Sequence, residues 1–115
     1  MGSAALAATT ASAQEVRLLV QRSPLAGFRY HDAPSLFDTL VPGTALDLFR
    51  EPENAFDPLA VRVEWQGRKL GYVPRAQNAA LAWAMDRGDP VEARVARRDK
   101  ARNGRRRLAF EVFLR

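Results

Sequence analysis

The sequence predicts a single small domain that is mainly β, an antiparallel barrel of five or six short strands with one helix inserted late in the chain. Short runs of apolar residues lie between clusters of turn residues along most of the sequence. Only one stretch has the spacing of an amphipathic helix. With 115 residues, of which 47% are hydrophobic, the chain has enough apolar material for one core and too little length for two domains.

Strands are expected wherever a short apolar run lies between two turn signals. The expected strands cover residues 15–21 with a resumption at 27–30 after a bulge or bend, then 45–50, 60–65, 69–73, 91–97 and 106–113. The turn signals are Ser23-Pro24, Pro42-Gly43, Gln66-Gly67 and Asn103-Gly104. Residues 60–65 give the clearest pattern, because apolar and polar residues alternate there with a period of two.

The helix is expected over residues 75–87, with one further helical turn at residues 35–40. Pro74 suits the start of the long helix and Gly88 suits its end. Leu81 and Met85 recur at helical spacing.

The positive charge is concentrated in one segment. The net charge is +5, and seven cations between residues 97 and 107 stand against one acid, Asp99, so this segment carries +6 and the rest of the chain −1. Such a patch attracts polyanions, although a run of like charges is most often a disordered, solvated tip. The cations are Arg97, Arg98, Lys100, Arg102, Arg105, Arg106 and Arg107.

Residues 1–14 differ in kind from the rest. They carry no charged side chain and are rich in Ala, Ser and Thr. Ala11-Ser12-Ala13 resembles the cleavage site of a secretory signal peptide, so we expect a truncated signal or a flexible leader, with the domain at residues 15–115. A signal would place the protein outside the cytoplasm, in the periplasm or beyond, and a plain leader would leave it inside. No other stretch is long and apolar enough to suggest a membrane span.

Several chemistries find no support in the composition. Cysteine is absent, which excludes disulfides, thiolate metal sites and cysteine nucleophiles. The single histidine, His31, has no evident nucleophile with which to form a triad, and no phosphate-binding glycine motif occurs. Glu51, Glu53 and Asp57 match no known calcium loop, so we expect no metal, no cofactor and no catalysis.

A loop built to present side chains lies between residues 48 and 61. An apolar run ends there, a cluster of Pro, Asn and Asp turns the chain around Phe56 and Asp57, and a second apolar run follows. With three other segments, this loop resembles the HIRAN domain, a module of eukaryotic DNA-remodelling helicases that also occurs as a free-standing bacterial protein. The matching segments are Gly27-Phe28-Arg29-Tyr30, Gly43 with Leu46-Asp47-Leu48, residues 50–61, and residues 69–75. The resemblance covers about residues 25–94 and implies a barrel related to the OB and SH3 types.

The resemblance also implies a site that captures the free 3′ end of single-stranded DNA. By motif, Asp57 accepts a hydrogen bond from the 3′ hydroxyl, and Asn54 supports the same turn. Phe56 replaces the family's turn tyrosine and keeps a ring for base stacking without the phenolic hydroxyl.

The remaining implied site residues lie in two other segments. Arg29 and Tyr30 match an Arg-Tyr pair that supplies a phosphate contact and a second stacking ring. Tyr72 and Arg75 correspond to a polar ring and a basic residue beside the DNA backbone.

Each of these residues also has a structural interpretation. Asp57 and Asn54 are common turn formers, and Phe56 could fill the core. Tyr30 and Tyr72 could pack at the rim of the barrel, and the two arginines could be solvated surface charges.

The sequence therefore predicts a monomeric, non-catalytic DNA-binding module, with single-stranded 3′ ends as the partner and DNA repair as the setting. The alternative is an exported interaction or ligand-binding domain that keeps the fold and binds another polyanion or a protein. A hydrolase or nuclease using the acidic turn is a weaker third reading.

Overall fold

The computed structural model describes residues 18–115. The expected leader at residues 1–14, with its cleavage site after Ala13, and the start of the first expected strand lie outside the described residues. The strands are β1 (Leu18–Pro24), β2 (Ala45–Glu51), β3 (Ala60–Trp65), β4 (Arg68–Tyr72), β5 (Val91–Lys100) and β6 (Arg106–Leu114). The helices are α1 (Ala33–Leu36) and α2 (Ala79–Asp86), and 3-10 turns cover Phe28–Tyr30 and Arg75–Gln77. None of the helices described here is long and apolar enough to cross a membrane.

The strands form one six-stranded antiparallel sheet in the order β1-β6-β5-β2-β3-β4. The chain beyond β1 bends across to β4, where Ala26 and Tyr72 exchange two backbone hydrogen bonds of 2.9 Å. This bridge is the one pairing described between the two ends of the sheet, so the barrel is open. The mainly β architecture with few helices is confirmed.

The hairpin of β3 and β4 shows why the alternating pattern predicts its strand well. Val61 and Val63 are completely buried, whereas Arg62 between them and Glu64 after them are partly exposed. Gln66 and Gly67 both have positive φ, 45° and 81°, as a two-residue hairpin turn requires. Across the hairpin Leu70 is also completely buried, and the three side chains belong to the main core.

The rest of the core comes from β5, β6 and the segments that cover the sheet. Val95, Phe110 and Val112 are buried at its centre. Leu40 after α1 and Leu81 of α2 close it from two other directions.

The first strand departs from the prediction. Ser23 and Pro24 continue β1 instead of ending it, because Ser23 is buried against Phe110 of β6 in the ladder and Pro24 is the last strand residue. The irregularity lies earlier, between Leu19 and Gln21. The expected resumption at residues 27–30 is wrong, because Gly27 has a φ of 74° and leads into the 3-10 turn.

Both helices are also shorter than predicted. The segment 75–77 is a 3-10 turn, and α2 begins only after Asn78, whose buried side chain donates to Asp57. Gly88, with a φ of 84°, follows the helix end as expected. The first helical turn occupies Ala33–Leu36, because Pro34 suits the first turn of a helix.

The last two strands are longer than predicted. Pairing continues through Arg98 with Leu108 and Lys100 with Arg106, so the basic segment is largely paired strand and only residues 101–105 form the tip. The connection is therefore shorter than expected, residues 101–105 instead of 98–105, and the expectation of a solvated tip is wrong for residues 98–100.

Candidate nucleic-acid interface

Asn54 organises the acidic turn, which we define as residues 51–59. Its side-chain oxygen accepts hydrogen bonds from the backbone N–H groups of Phe56 (2.9 Å) and Asp57 (3.1 Å), and its amide donates to Glu51 (2.9 Å). The turn-forming role is thus present in the structure. It directs the Phe56 ring outward, 86% exposed, and the interpretation of Phe56 as a core residue is wrong.

Both carboxylate oxygens of Asp57 accept hydrogen bonds from within the protein. One accepts from the backbone N–H of Leu59 (2.9 Å), and the other accepts from the buried amide of Asn78 (2.7 Å). These hydrogen bonds, together with the positive charges of Arg75 and Arg50, lower the pKa of Asp57. Each carboxylate oxygen can accept two hydrogen bonds and here accepts one from within the protein, so Asp57 caps the turn and still has acceptor capacity.

Glu51 connects the acidic turn to the sheet, a role that the sequence does not reveal. It accepts hydrogen bonds from the Tyr72 hydroxyl (2.8 Å), from Asn54 and from Arg62 (2.6 Å). Burial acts to raise the pKa of Glu51, but the three donors outweigh it and lower the pKa to about 2. The carboxylate is therefore ionised at neutral pH.

Tyr72 links the acidic turn to the 3-10 turn Phe28–Tyr30. Its hydroxyl bonds Glu51, its ring lies 4.5 Å from the Lys69 ammonium, and it meets the His31 ring edge-to-face at 6.0 Å. His31 directly follows Tyr30 and is partly buried, and this burial, followed by the charge of Lys69, lowers its pKa. The hydroxyl of the half-buried Tyr72 is therefore engaged by Glu51 and is not free to bind a ligand as a donor.

Arg29 and Tyr30 lie on the 3-10 turn with their side chains in solvent, and Tyr30 is 76% exposed. Within residues 18–115, Arg29 has no side-chain partner. Both residues line a groove of about 600 Å³, and residues 105–107 of the last hairpin line it as well. We call it the hairpin groove.

The two arginines near Asp57 are held differently. Arg75 is exposed on its 3-10 turn and acts on Asp57 through its charge. Arg50, which sequence reasoning missed, donates to the carbonyls of Ala60 (2.7 Å) and Pro58 (3.0 Å) and pairs with Asp86 (2.9 Å). Its position within the loop that carries the resemblance is the signal that could have found it.

The basic hairpin, residues 97–107, contains two classes of cation. Arg98 and Arg106 donate to carbonyls near α1 and lie over the Phe37 ring at 5.4 and 5.5 Å. Arg97 pairs with Asp99 at 2.9 Å. The others have no side-chain partner in the described part of the chain: Lys100, Arg102, Arg105 and Arg107.

The structure thus brings the implied site residues into two adjoining groups. Asn54, Phe56, Asp57 and Arg75 form one, and Arg29 and Tyr30 form the other, with Tyr72 between them. Among residues 18–115, no three His, Asp or Glu side chains are placed to share a metal ion.

Solved structures share the fold of this chain. A protein from Lactobacillus plantarum superposes with a TM-score of 0.74 at 29% identity, over 86% of this chain and 95% of that one. The HIRAN domain of human HLTF superposes with a TM-score of 0.65 at 22% identity, over 85% of this chain and 78% of that one, which is a likeness of fold.

The sequence is also similar to a Fanconi-associated nuclease 1 homolog from Oryza sativa subsp. japonica, with 36% identity over 67 residues. That match covers 55% of this chain but only 6% of the nuclease. Residues 18–115 match the HIRAN domain, which is known as a DNA-binding domain and is not itself catalytic. The chain therefore belongs to the HIRAN domain family.

Proposed function

We propose that this protein is a non-catalytic module that binds single-stranded DNA and captures its 3′-hydroxyl end. The observation that carries the proposal is the acidic turn, where an exposed Phe56 ring adjoins an ionised Asp57 carboxylate held by two hydrogen bonds. An exposed ring beside a fixed acceptor is suited to a terminal base and its hydroxyl.

Asp57 supplies the selectivity for an end. A carboxylate accepts strongly from a hydroxyl, whereas it repels the phosphate of a continuing or blocked strand. Its lowered pKa keeps it charged at neutral pH, so this repulsion is present under ordinary conditions.

The other residues supply affinity that does not depend on sequence. Phe56 and Tyr30 are exposed rings on which bases can stack, and Arg29 and Arg75 are exposed cations suited to phosphates. Binding should therefore tolerate any base sequence.

The test is fluorescence anisotropy of the full chain with 5′-labelled single strands that end in a 3′ hydroxyl or a 3′ phosphate. We expect tighter binding of the hydroxyl strand, and we expect this preference to persist at physiological salt. Equal, weak binding that salt abolishes would refute end capture, because it would reflect general attraction of the cations for phosphate.

Two variants separate the specific role of the Asp57 carboxylate from the general effect of removing one negative charge from the turn. Asp57→Asn keeps an acceptor oxygen for Leu59, and the Asn78 amide can rotate to accept from the new amide, so the turn is retained. Glu53→Gln removes one charge from the same turn at an exposed residue with no partner among residues 18–115. We expect only Asp57→Asn to remove the preference for the hydroxyl, and equal effects of the two variants would contradict the assignment.

A second candidate is an exported interaction domain that keeps this fold without end capture. The signal-like composition of residues 1–14 favours it. Mapping the mature N-terminus in cells tests this candidate, since cleavage after Ala13 supports export and an uncleaved chain argues against it.

A further inference from the structure

We propose that the hairpin groove binds the backbone of the DNA strand as it continues away from the captured end, so that the basic hairpin lengthens the binding site. The direction in which the strand runs, with its 3′ end at the acidic turn, rests on the proposed function. The groove itself is a property of the fold.

The groove is strongly cationic. Arg29, Arg105, Arg106 and Arg107 line it, and none of its described lining residues is acidic. Of these four, only Arg106 is engaged, because it donates to the Pro34 carbonyl at 3.2 Å. The side chains of three of the four arginines that line the groove are therefore without a hydrogen-bond or ion-pair partner in the described part of the protein.

The groove also has an aromatic side. Phe28 and the 76%-exposed Tyr30 line it beside the cations. Grooves that bind single strands without sequence preference combine cations for the backbone with rings for the bases.

The hairpin is held firmly enough to form a binding surface. Arg98 and Arg106 anchor it to the α1 region through Phe37, and strand pairing continues to Lys100 and Arg106. At the base of the groove, the Leu25 N–H donates to the Leu108 carbonyl at 2.8 Å. The unengaged cations therefore lie on paired strands or on the short tip that joins them.

The groove adjoins the proposed end site. Tyr30 lines the groove, the next residue, His31, contacts Tyr72, and Tyr72 bonds Glu51 of the acidic turn. A strand whose 3′ end lies at Asp57 can therefore run past Tyr72 and Tyr30 to the hairpin.

The four unengaged cations of the hairpin form two pairs of equal charge, one that lines the groove and one that does not. Arg105 and Arg107 line the groove, whereas Lys100 and Arg102 do not, although all four are exposed and unengaged among the described residues. The double variant Arg105→Ala/Arg107→Ala removes the groove pair. Lys100→Ala/Arg102→Ala removes the same charge from the same hairpin outside the groove.

The experiment measures the affinity of the full chain and both double variants for 3′-hydroxyl strands of about 4 and about 12 nucleotides. We expect the wild type to bind the longer strand about tenfold more tightly, and the groove variant to lose this gain together with about 1 unit of salt slope. The variant outside the groove should lose less than half as much. Equal losses in the two variants, or no gain with length, would overturn the inference.

The result for the groove can be read separately from end capture. If the short strand shows no preference for the 3′ hydroxyl but the groove variant still loses affinity for the long strand, the groove is supported and end capture is not. If the preference is present and the groove variant binds both strands like the wild type, the groove inference fails alone.

Neutral methylphosphonate linkages test the path directly. Placed about 4 to 8 nucleotides from the 3′ end, they should remove the difference in affinity between the wild type and Arg105→Ala/Arg107→Ala. Both proteins then lack the same contacts between the groove and the phosphates. If only linkages at the extreme 3′ end remove that difference, the proposed path is wrong.

Discussion

At the scale of single residues, the geometry of the candidate site depends on Glu51. Its side chain is largely buried, and it has no proposed contact with DNA. Its carboxylate receives three side-chain donors, one from the acidic turn, one from β3 and one from β4. If a neutral acceptor replaced Glu51, the partly buried Arg62 guanidinium would have less negative charge beside it to balance its own. Glu51 thus determines where Asn54 and Tyr72 lie, and through them the positions of Phe56 and Asp57.

Acid should remove the contribution of Glu51 to stability. The pKa of Glu51 is about 2 in the folded protein and 4.5 at its ordinary value, so its contribution is full above about pH 4.5 and is lost as the pH falls toward 2. We expect Glu51→Gln to be less stable than the wild type by about 2 kcal/mol at pH 7, with the difference vanishing near pH 2. Denaturant unfolding across this range measures it.

Glu53→Gln is the control for this titration, because Glu53 is exposed and has no hydrogen-bond partner in residues 18–115. Its free energy of unfolding should follow that of the wild type at every pH. A difference between wild type and Glu51→Gln that is independent of pH would show that lost packing, not charge, explains the destabilisation.

Phe56 should matter for binding and not for folding. Its ring is 86% exposed, so we expect Phe56→Ala to change the free energy of unfolding by less than about 0.5 kcal/mol. Loss of base stacking should weaken single-strand binding about tenfold. Phe56→Tyr keeps the ring and should bind like the wild type, and anisotropy together with thermal unfolding separates the two properties. Unchanged binding by Phe56→Ala would remove Phe56 from the site.

At the scale of elements, the bridge between Ala26 and Tyr72 brings the two halves of the site together. It joins the segment that leads to Arg29 and Tyr30 to the strand that carries Tyr72. Gly71 makes the close approach possible, because a Cβ atom there would lie 2.2 Å from the Ala26 carbonyl oxygen. That oxygen accepts from the Tyr72 N–H, so a side chain at residue 71 would force the bridge apart.

Gly71→Ala should therefore destabilise the protein by about 2 kcal/mol or more and open the bridge. Denaturant unfolding measures the loss, and faster hydrogen exchange of the Tyr72 amide reports the opening. Gly67→Ala is the matched control, because nothing lies within 4 Å of its added Cβ and only the left-handed backbone, φ 81°, is strained. Its cost should be about 1 kcal/mol. Equal costs would argue against the close contact.

The elements that the sequence predicts well are those whose signals are local. The alternation of residues 60–65 and the turn at Gln66-Gly67 match the observed β3–β4 hairpin, and the turn-forming role of Asn54 needs only its immediate neighbours. The start of α2 could not be found, because Asn78 is fixed by Asp57, 21 residues away. The Tyr72–Glu51 contact spans the same separation, and long-range side-chain pairs leave no pattern in one sequence.

The extension of β5 through residues 98–100 was missed for a similar reason. Seven cations in one short segment argue for solvated coil. Residues 98–100 continue the strand because Phe37, distant in sequence, supplies a ring for both Arg98 and Arg106. The same anchoring places Arg105 and Arg107 at the hairpin groove beside Arg29.

At the scale of the whole molecule, the charge is divided between the two ends of the proposed binding path. The basic hairpin carries +6, whereas the rest of the chain sums to −1. Around the acidic turn, Glu51 and Asp57 are balanced by Arg62, Arg50 and Arg75. In the proposed complex, the hairpin attracts the polyanionic body of the strand, and the acidic turn accepts only its uncharged hydroxyl end.

This division predicts that residues 15–115 contain the whole activity. The described core, the acidic turn, the hairpin groove and the HIRAN match all lie within residues 18–115. We expect a chain shortened to residues 15–115 to unfold within about 1 kcal/mol of the full chain and to keep the same affinity and hydroxyl preference. Denaturant unfolding and anisotropy on both chains measure this. A large loss of stability would place residues 1–14 within the folded domain, and a loss of binding with unchanged stability would make them part of the interface.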